Sequence, residues 1–335
     1  MFKKIIYLLI VVLTFTTIFI LIYKKRVKQE LHVEIGKRTI IEVGKANKES
    51  YNFDNPPYRL IAHKDSIIIL VDTLIYILDS KLKINKIVSF PFENSSGIFY
   101  YKPITKGGVG FNFLENKLYV KVDSEMRSLK SNDQIINSIW VNNEFYTCTI
   151  NKNQLVTINK WNPVNNSNKL VYNISEKLKD TLKSKDCILE TLEGNFFAID
   201  EQTLGFYFYR GDKFLVINSD SSILVNSIVK YPFIEFYKKK IKMADGSTLE
   251  PCEATKNIFV QMSACSDGSQ IFILSSFSKN GQAIIDIYSK TGGYVKSLQL
   301  PKFGSKKMPT DILVIDKILY VVFDKNLFSY NINGL

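Results

Sequence analysis

The sequence predicts an all-β protein, a β-propeller of six blades with seven as the alternative count, preceded by one N-terminal transmembrane helix. Three observations predict it. Residues 5–23 form an unbroken apolar run. From about Tyr58 onward, short runs rich in Ile, Val, Phe and Tyr alternate with clusters of Asn, Asp, Gly, Lys and Ser. A polar turn followed by an apolar or aromatic strand recurs along that stretch.

The apolar run, IIYLLIVVLTFTTIFILIY, has no charge, no Gly and no Pro. A helix of that length is about 28 Å long, close to the roughly 30 Å of bilayer hydrocarbon. Its side chains, among them Ile5, Leu8, Val11, Phe15, Ile18, Ile22 and Tyr23, are apolar on every face, as an anchor requires and a half-buried helix does not. A cleaved signal peptide has a shorter apolar region followed by small residues at the cleavage site. Here Lys24-Lys25-Arg26-Val27-Lys28 follows instead. The chain therefore divides into a short basic N-tail (1–4), a transmembrane anchor (5–23), a juxtamembrane linker (24–36) and a propeller domain (37–335).

Orientation is contested by the flanks. Lys3 and Lys4 precede the run, whereas Lys24, Lys25, Arg26 and Lys28 follow it, and this count favours a cytoplasmic domain. Against it, a short basic tail before a long apolar run is how export signals begin, and long domains translocate largely regardless of charge. The reading adopted is a membrane-anchored, extracytoplasmic domain, periplasmic or at the cell surface, with the cytoplasmic orientation as the alternative. The formal charge of +12 comes from lysines scattered along the chain. Arginine, the better reader of phosphates and bases, is sparse, so nucleic acid is not expected as a partner. Attraction to an anionic membrane surface is compatible with this charge.

The recurring turn-plus-strand element begins at Asp65, Asn116, Asn143, Gly194, Gly268 and Asp316. From Ile68 to Tyr320 the mean interval is about 50 residues, which suits a four-stranded blade. The spacing is uneven. Tyr119 to Tyr146 is short for a blade, and Phe197 to Phe272 is long enough to hold an insertion. A second element, Ile287-Tyr288-Ser289-Lys290-Thr291-Gly292, is echoed by Ser329-Tyr330-Asn331-Ile332-Asn333-Gly334. The run after it, ending at Pro301, matches the one ending at Pro91, and both read as outer strands stopped by proline. Strands near 311–315, 318–323 and 327–332 are one short of a blade, and the segment 38–43, Arg38-Thr39-Ile40-Ile41-Glu42-Val43, is expected to complete it. Ser175 to Leu182 reads as a short connecting helix with a serine cap.

The run Ile285-Asp286-Ile287-Tyr288-Ser289-Lys290-Thr291-Gly292-Gly293-Tyr294-Val295, together with the turn-plus-aromatic strands, resembles the NHL-like and TolB-like six-bladed propellers, a group with many exported bacterial members. The resemblance covers about residues 58–335. It implies fold and carries no activity, because such propellers serve as binding modules, scaffolds and enzymes.

Chemistry is thinly represented. His32 and His63 are the two histidines, and His63 reads as a strand-end residue rather than part of a triad. No Cys-x-x-Cys pair exists, so zinc or copper sites are not expected. Cys148 reads as a buried core thiol beside Tyr146 and Ile150. Cys252 and Cys265, near in sequence, are the candidate disulfide, worth about 3 kcal/mol in an oxidising compartment. Gly107-Gly108-Val109-Gly110 lacks the Lys-Ser/Thr of a phosphate loop and reads as a bend or bulge. Asn218–Ser222 reads as a solvated turn, and Asp245-Gly246 and Asp267-Gly268 read as hairpin turns. The lysines of Tyr237–Lys242 read as guards of an exposed strand. No catalytic, cofactor-binding or metal residues can be assigned, and no cofactor is expected. Calcium is the ion that the plentiful Asp, Glu and Asn would suit.

These features lead to the expectation of a monomeric, non-catalytic propeller, tethered to the membrane by its N-terminal helix, that binds a protein, peptide or glycan at the cell envelope. The alternative is a metal-assisted hydrolase or lyase with a site in the central channel.

Overall fold

The structure is a computed structural model and describes residues 34–35, 38–46, 50–63, 65–91, 98–104, 107–182, 187–218, 221–243, 245–279, 282–302 and 308–334. The apolar run 5–23 lies outside them. Among the described residues no helix is long and apolar enough to cross a membrane.

Six antiparallel sheets stand around a central axis, each inner strand neighbouring the next. Strands in each blade are lettered A to D from the axis outward. The A strands are Arg59–His63, Ile98–Ile104, Gln134–Val141, Gly194–Ala198, Gln261–Ser266 and Asp311–Ile315, for blades 1 to 6 in turn. The B strands begin at Ser66, Gly107, Glu144, Leu204, Gln270 and Ile318. Six blades are observed, and the seven-blade alternative falls away.

The uneven repeat now has a physical origin. Four of the turn-plus-strand elements, at Asp65, Asn143, Gly268 and Asp316, are A–B turns. The element at Asn116 is the B–C turn of blade 2, and that at Gly194 is the A strand of blade 4, so four of the five intervals run between unlike places in the blade. The type of residue is dictated by the turn. Asn142-Asn143 and Asp316-Lys317 hold φ of 50° and 59°, and 49° and 61°, the left-handed pair a two-residue hairpin turn needs. The long interval also contains a genuine insertion, residues 227–260, between blades 4 and 5.

Ring closure differs from the expectation. Ser50–Asn52, not the segment 38–43, supplies the D strand of blade 6, pairing antiparallel with Asn326–Asn331. Within 38–43, Ile40–Glu42 runs parallel to Tyr294–Gln299 as a fifth strand on blade 5. Both strands have the composition for an edge. The parallel one is fixed by an ion pair outside the strand, where Arg38 Nε and Nη2 donate to the Asp286 carboxylate at 2.9 and 2.6 Å.

Two further expectations change. Gly107–Asn112 is the B strand of blade 2 rather than a bend. A Cβ at Gly107 would lie 1.8 Å from the Lys121 carbonyl oxygen, so the glycine serves close backbone approach within the sheet. The connecting helix spans Ile174–Leu178, and its cap is Asn173, whose Oδ1 accepts from Glu176 N, while the Ser175 hydroxyl turns inward to accept from Val156 N at 2.8 Å. Other expectations stand. The two proline-ended runs are D strands of blades 5 and 1, Gly246 and Gly268 take positive φ in their turns, and Cys148 is buried with Tyr146 and Ile150.

The core is a set of inter-blade layers of Ile, Val, Leu and aromatic residues running round the ring. A separate small cluster, with Cys187, Val229, Tyr231, Ile234, Phe236 and Val260, lies under the insertion.

Candidate functional site

The central channel is the place where a propeller assembles residues from every blade, and here it is narrow. A cavity of about 110 Å³ is lined by A-strand residues of all six blades, among them Arg59, Lys102, Trp140, Phe197, Cys265 and Asp311.

Each joint around the channel is closed by a polar contact. Leu60 N of blade 1 donates to Asp311 Oδ2 of blade 6 at 2.7 Å, and Asp311 Oδ1 accepts from the Ser263 hydroxyl of blade 5 and from Ile312 N at 3.0 Å. Tyr207 of blade 4 donates its hydroxyl to the Met262 carbonyl of blade 5 at 3.2 Å. Asn137 of blade 3 donates to Asn195 Oδ1 of blade 4 at 2.7 Å. Trp140 N of blade 3 donates to the Tyr100 hydroxyl of blade 2 at 3.2 Å, and Tyr58 donates to the Ile98 carbonyl at 3.1 Å between blades 1 and 2. Across the ring, Arg59 of blade 1 donates from Nη2 to the Phe196 carbonyl of blade 4 at 2.7 Å, so a guanidinium bridges the channel.

Burial shapes the electrostatics. It pushes the Asp311 carboxyl up, opposed by the nearby Arg59 guanidinium. It pushes Tyr100 up to about 12 and lowers Lys102, whose ammonium donates to the Trp140 carbonyl at 3.3 Å. Among the described residues Asp311 is the carboxylate lining the cavity, and its oxygens already accept three hydrogen bonds. Asp311→Asn keeps the shape but turns an amide toward backbone N–H donors. It is expected to lower stability by about 2 kcal/mol, read as a shift in the urea midpoint.

The channel widens on the face made by the A–B and C–D turns. A hollow of about 610 Å³ there is bordered by His63, Lys102, Asn142, Asn143, Asp200 and Glu201. It shares Ile104, Trp140 and Asn143 with a second hollow of about 640 Å³ that runs between blades 2 and 3. Val120, Val122, Pro163 and Val164 line the second one together with Asp123, Glu125 and Arg127. Val164 is 82% exposed. His63 is the strand-end residue the sequence suggested, and it borders the first hollow.

The opposite face is covered. The helix Ile174–Leu178 and a second one, Ile188–Leu192, join blade 3 to blade 4, and the insertion joins blade 4 to blade 5. A disulfide ties these connections, linking Cys187 to Cys252 rather than Cys252 to Cys265. Cys265 sits in the A strand of blade 5, where burial holds its thiol well above the usual range, and Cys252 lies outside the blades in the insertion. Nearness in sequence therefore misidentified the partner. Cys187, Glu190 and Cys252 cluster within metal-ligand distance, but the two sulfurs are bonded to each other and offer no pair of thiolates.

No protein-family model and no curated protein matches the chain. Among solved structures the chain is similar to a catalytically inactive variant of virginiamycin B lyase from Staphylococcus aureus, with 11% identity and a TM-score of 0.48, covering 84% of this chain and 98% of that one. It is also similar to regucalcin, a calcium-binding protein from Agrobacterium tumefaciens, with 9% identity, a TM-score of 0.47, and 88% and 96% covered. A third likeness is to the N-terminal domain of Nup159, with 13% identity, a TM-score of 0.44, and 82% and 76% covered. These likenesses are too distant to carry function, and the fold rests on the strand pairing itself.

Proposed function

We propose that this chain is a non-catalytic propeller, tethered by residues 5–23 to a membrane, that binds a partner on the extracytoplasmic side through its A–B/C–D face. The observation that carries the reading is the pair of joined hollows on that face. A lining that mixes Val120, Val122, Pro163 and the exposed Val164 with Asn, Asp, Glu and Arg suits an extended polypeptide, which brings both apolar side chains and backbone polar groups. A glycan asks for an exposed aromatic platform, and Trp140 is buried. Among the described residues, the channel brings together a bridging arginine and one carboxylate, that of Asp311.

The extracytoplasmic side is favoured by the Cys187–Cys252 bridge, since such bridges persist in oxidising compartments. The reading keeps the resemblance to NHL-like and TolB-like propellers, whose carrying run 285–295 forms the C–D hairpin of blade 5.

A photo-crosslinking amino acid placed at Val164 in cells is expected to trap one discrete polypeptide adduct. The same group at Ile87, exposed on the outer strand of blade 1, serves as the comparison. Equal trapping at both positions, or none at Val164, rejects the docking face.

A further inference from the structure

The insertion between blades 4 and 5 carries a β-arm that the ring does not need. Phe236–Lys238 pairs with Cys252–Ala254, and farther out Ile241–Lys242 pairs with Thr248–Leu249. Its root is built in. Phe233 packs edge-on to Phe208 and so close to Gly211 that a Cβ there would lie 2.4 Å from the ring. Ile234 N donates to the Arg210 carbonyl at 2.8 Å, and the Arg210 guanidinium lies 4.1 Å over Phe259.

The outer part is exposed and two-faced. Ile241 stands opposite Leu249 in register, Met243 follows on the same side, and Tyr237 is exposed nearer the root. Leu249 is 53% exposed. Lys239 and Lys240 pair with Glu253 and Glu250 at 2.8 and 3.5 Å, while Lys238 and Lys242 have no ion pair among the described residues.

The tether arrives at the same place. Glu34 and Ile35 pair antiparallel with Lys230 and Val229 at the root of the arm. Residues 24–33 separate this pairing from the apolar run, a reach of about 35 Å at full extension.

We propose that the arm is a second membrane contact, a lysine-bearing hairpin that sets Tyr237, Ile241, Met243 and Leu249 into the headgroup boundary of an anionic bilayer. Lys238 and Lys242 meet lipid phosphates, and the tether confines the arm to their neighbourhood. The propeller then sits with its capped face on the membrane and its open hollows directed away. This rests on the reading of residues 5–23 as an anchor.

The test uses the full chain in phosphatidylcholine vesicles, with or without phosphatidylglycerol, containing lipids brominated on the acyl chains. Tryptophan at Leu249→Trp is expected to be quenched above the native tryptophan background when phosphatidylglycerol is present, and Val164→Trp is not. Lys238→Gln with Lys242→Gln is expected to lower the inserted fraction, with the partition ratio falling about fivefold per lysine neutralised. Absence of quenching at 249 while alkaline carbonate leaves the chain in the vesicles overturns the arm contact alone. Release by carbonate overturns the anchor and the contact together. Shielding of the 249 tryptophan from iodide without bromine quenching, in a chain that runs as a dimer, gives the arm to a second copy and also overturns the proposal.

Discussion

Arg38→Met is expected to destabilise the protein by about 3–5 kcal/mol at neutral pH, because it leaves a buried carboxylate without its partner. The Arg38 and Asp286 side chains are 5% and 2% exposed. The guanidinium binds the carboxylate through two nitrogens, and the Ser297 hydroxyl donates to the same carboxylate at 2.6 Å. With Arg38 removed, water cannot replace what the guanidinium supplied, and one serine hydroxyl is left facing an ion.

The sign of the pH dependence follows. Burial already pushes the Asp286 carboxyl up, and Arg38 is the main group holding it down. In the variant that opposition is gone, so the folded-state pKa rises further above the unfolded value and the folded state binds the proton more tightly. The variant is therefore most stable below the unfolded carboxylate pKa of about 4 and loses stability as pH rises through the raised folded value. The gap to the native chain should narrow on acidification, checked by urea midpoints of both proteins across that range. A gap independent of pH would mean that lost packing of the arginine stem, not the orphaned charge, carries the cost. Arg38→Met with Asp286→Leu should recover much of the loss, since an apolar pair leaves no ion behind.

How much of this was legible beforehand depended on whether the determining contact was local. Turn chemistry is local, so Asp316-Lys317 and Asp267-Gly268 announced their hairpins, and the runs 287–292 and 329–334, which both end the C strand of their blade, carried a recognisable repeat. The segment 38–43 had strand composition but could not declare its partner. Ile40–Glu42 and Ser50–Asn52 are both short edge-type pieces, and which of them closes blade 6 is decided by Arg38 finding Asp286, 248 positions away. The channel was equally hidden. Arg59, Asn137, Ser263 and Asp311 sit on A strands of four different blades and share no common spacing along the chain. Gly107-Gly108 misled for a related reason, because the carbonyl of Lys121 and the ring of Tyr101 that demand glycine belong to neighbouring strands. The disulfide shows the same limit: Cys187 and Cys252 meet because both lie on connections leaving one face of the ring.

Replacing both bridged cysteines, Cys187→Ser with Cys252→Ser, is expected to lower stability by about 4 kcal/mol, the loop-closure value for a sequence separation of 65. The loop contains all of blade 4 and most of the insertion, so the bridge restrains a large part of the unfolded chain. It also holds the arm over the helix Ile188–Leu192 in the folded state, where the small cluster around Tyr231, Ile234 and Phe236 supplies the remaining adhesion. Two readouts separate these roles. Loss of chain restraint lowers the global urea midpoint, whereas loss of the local brace speeds amide exchange in 236–254 beyond the rest of the molecule. A thiol reductant should lower the native midpoint to that of the double variant and leave the variant unchanged. Cys148 and Cys265 stay out of this chemistry, because burial raises both thiols and deprives them of thiolate character. An unchanged midpoint on reduction would mean that the blades alone determine the global transition, leaving the bridge to set only the position of the arm.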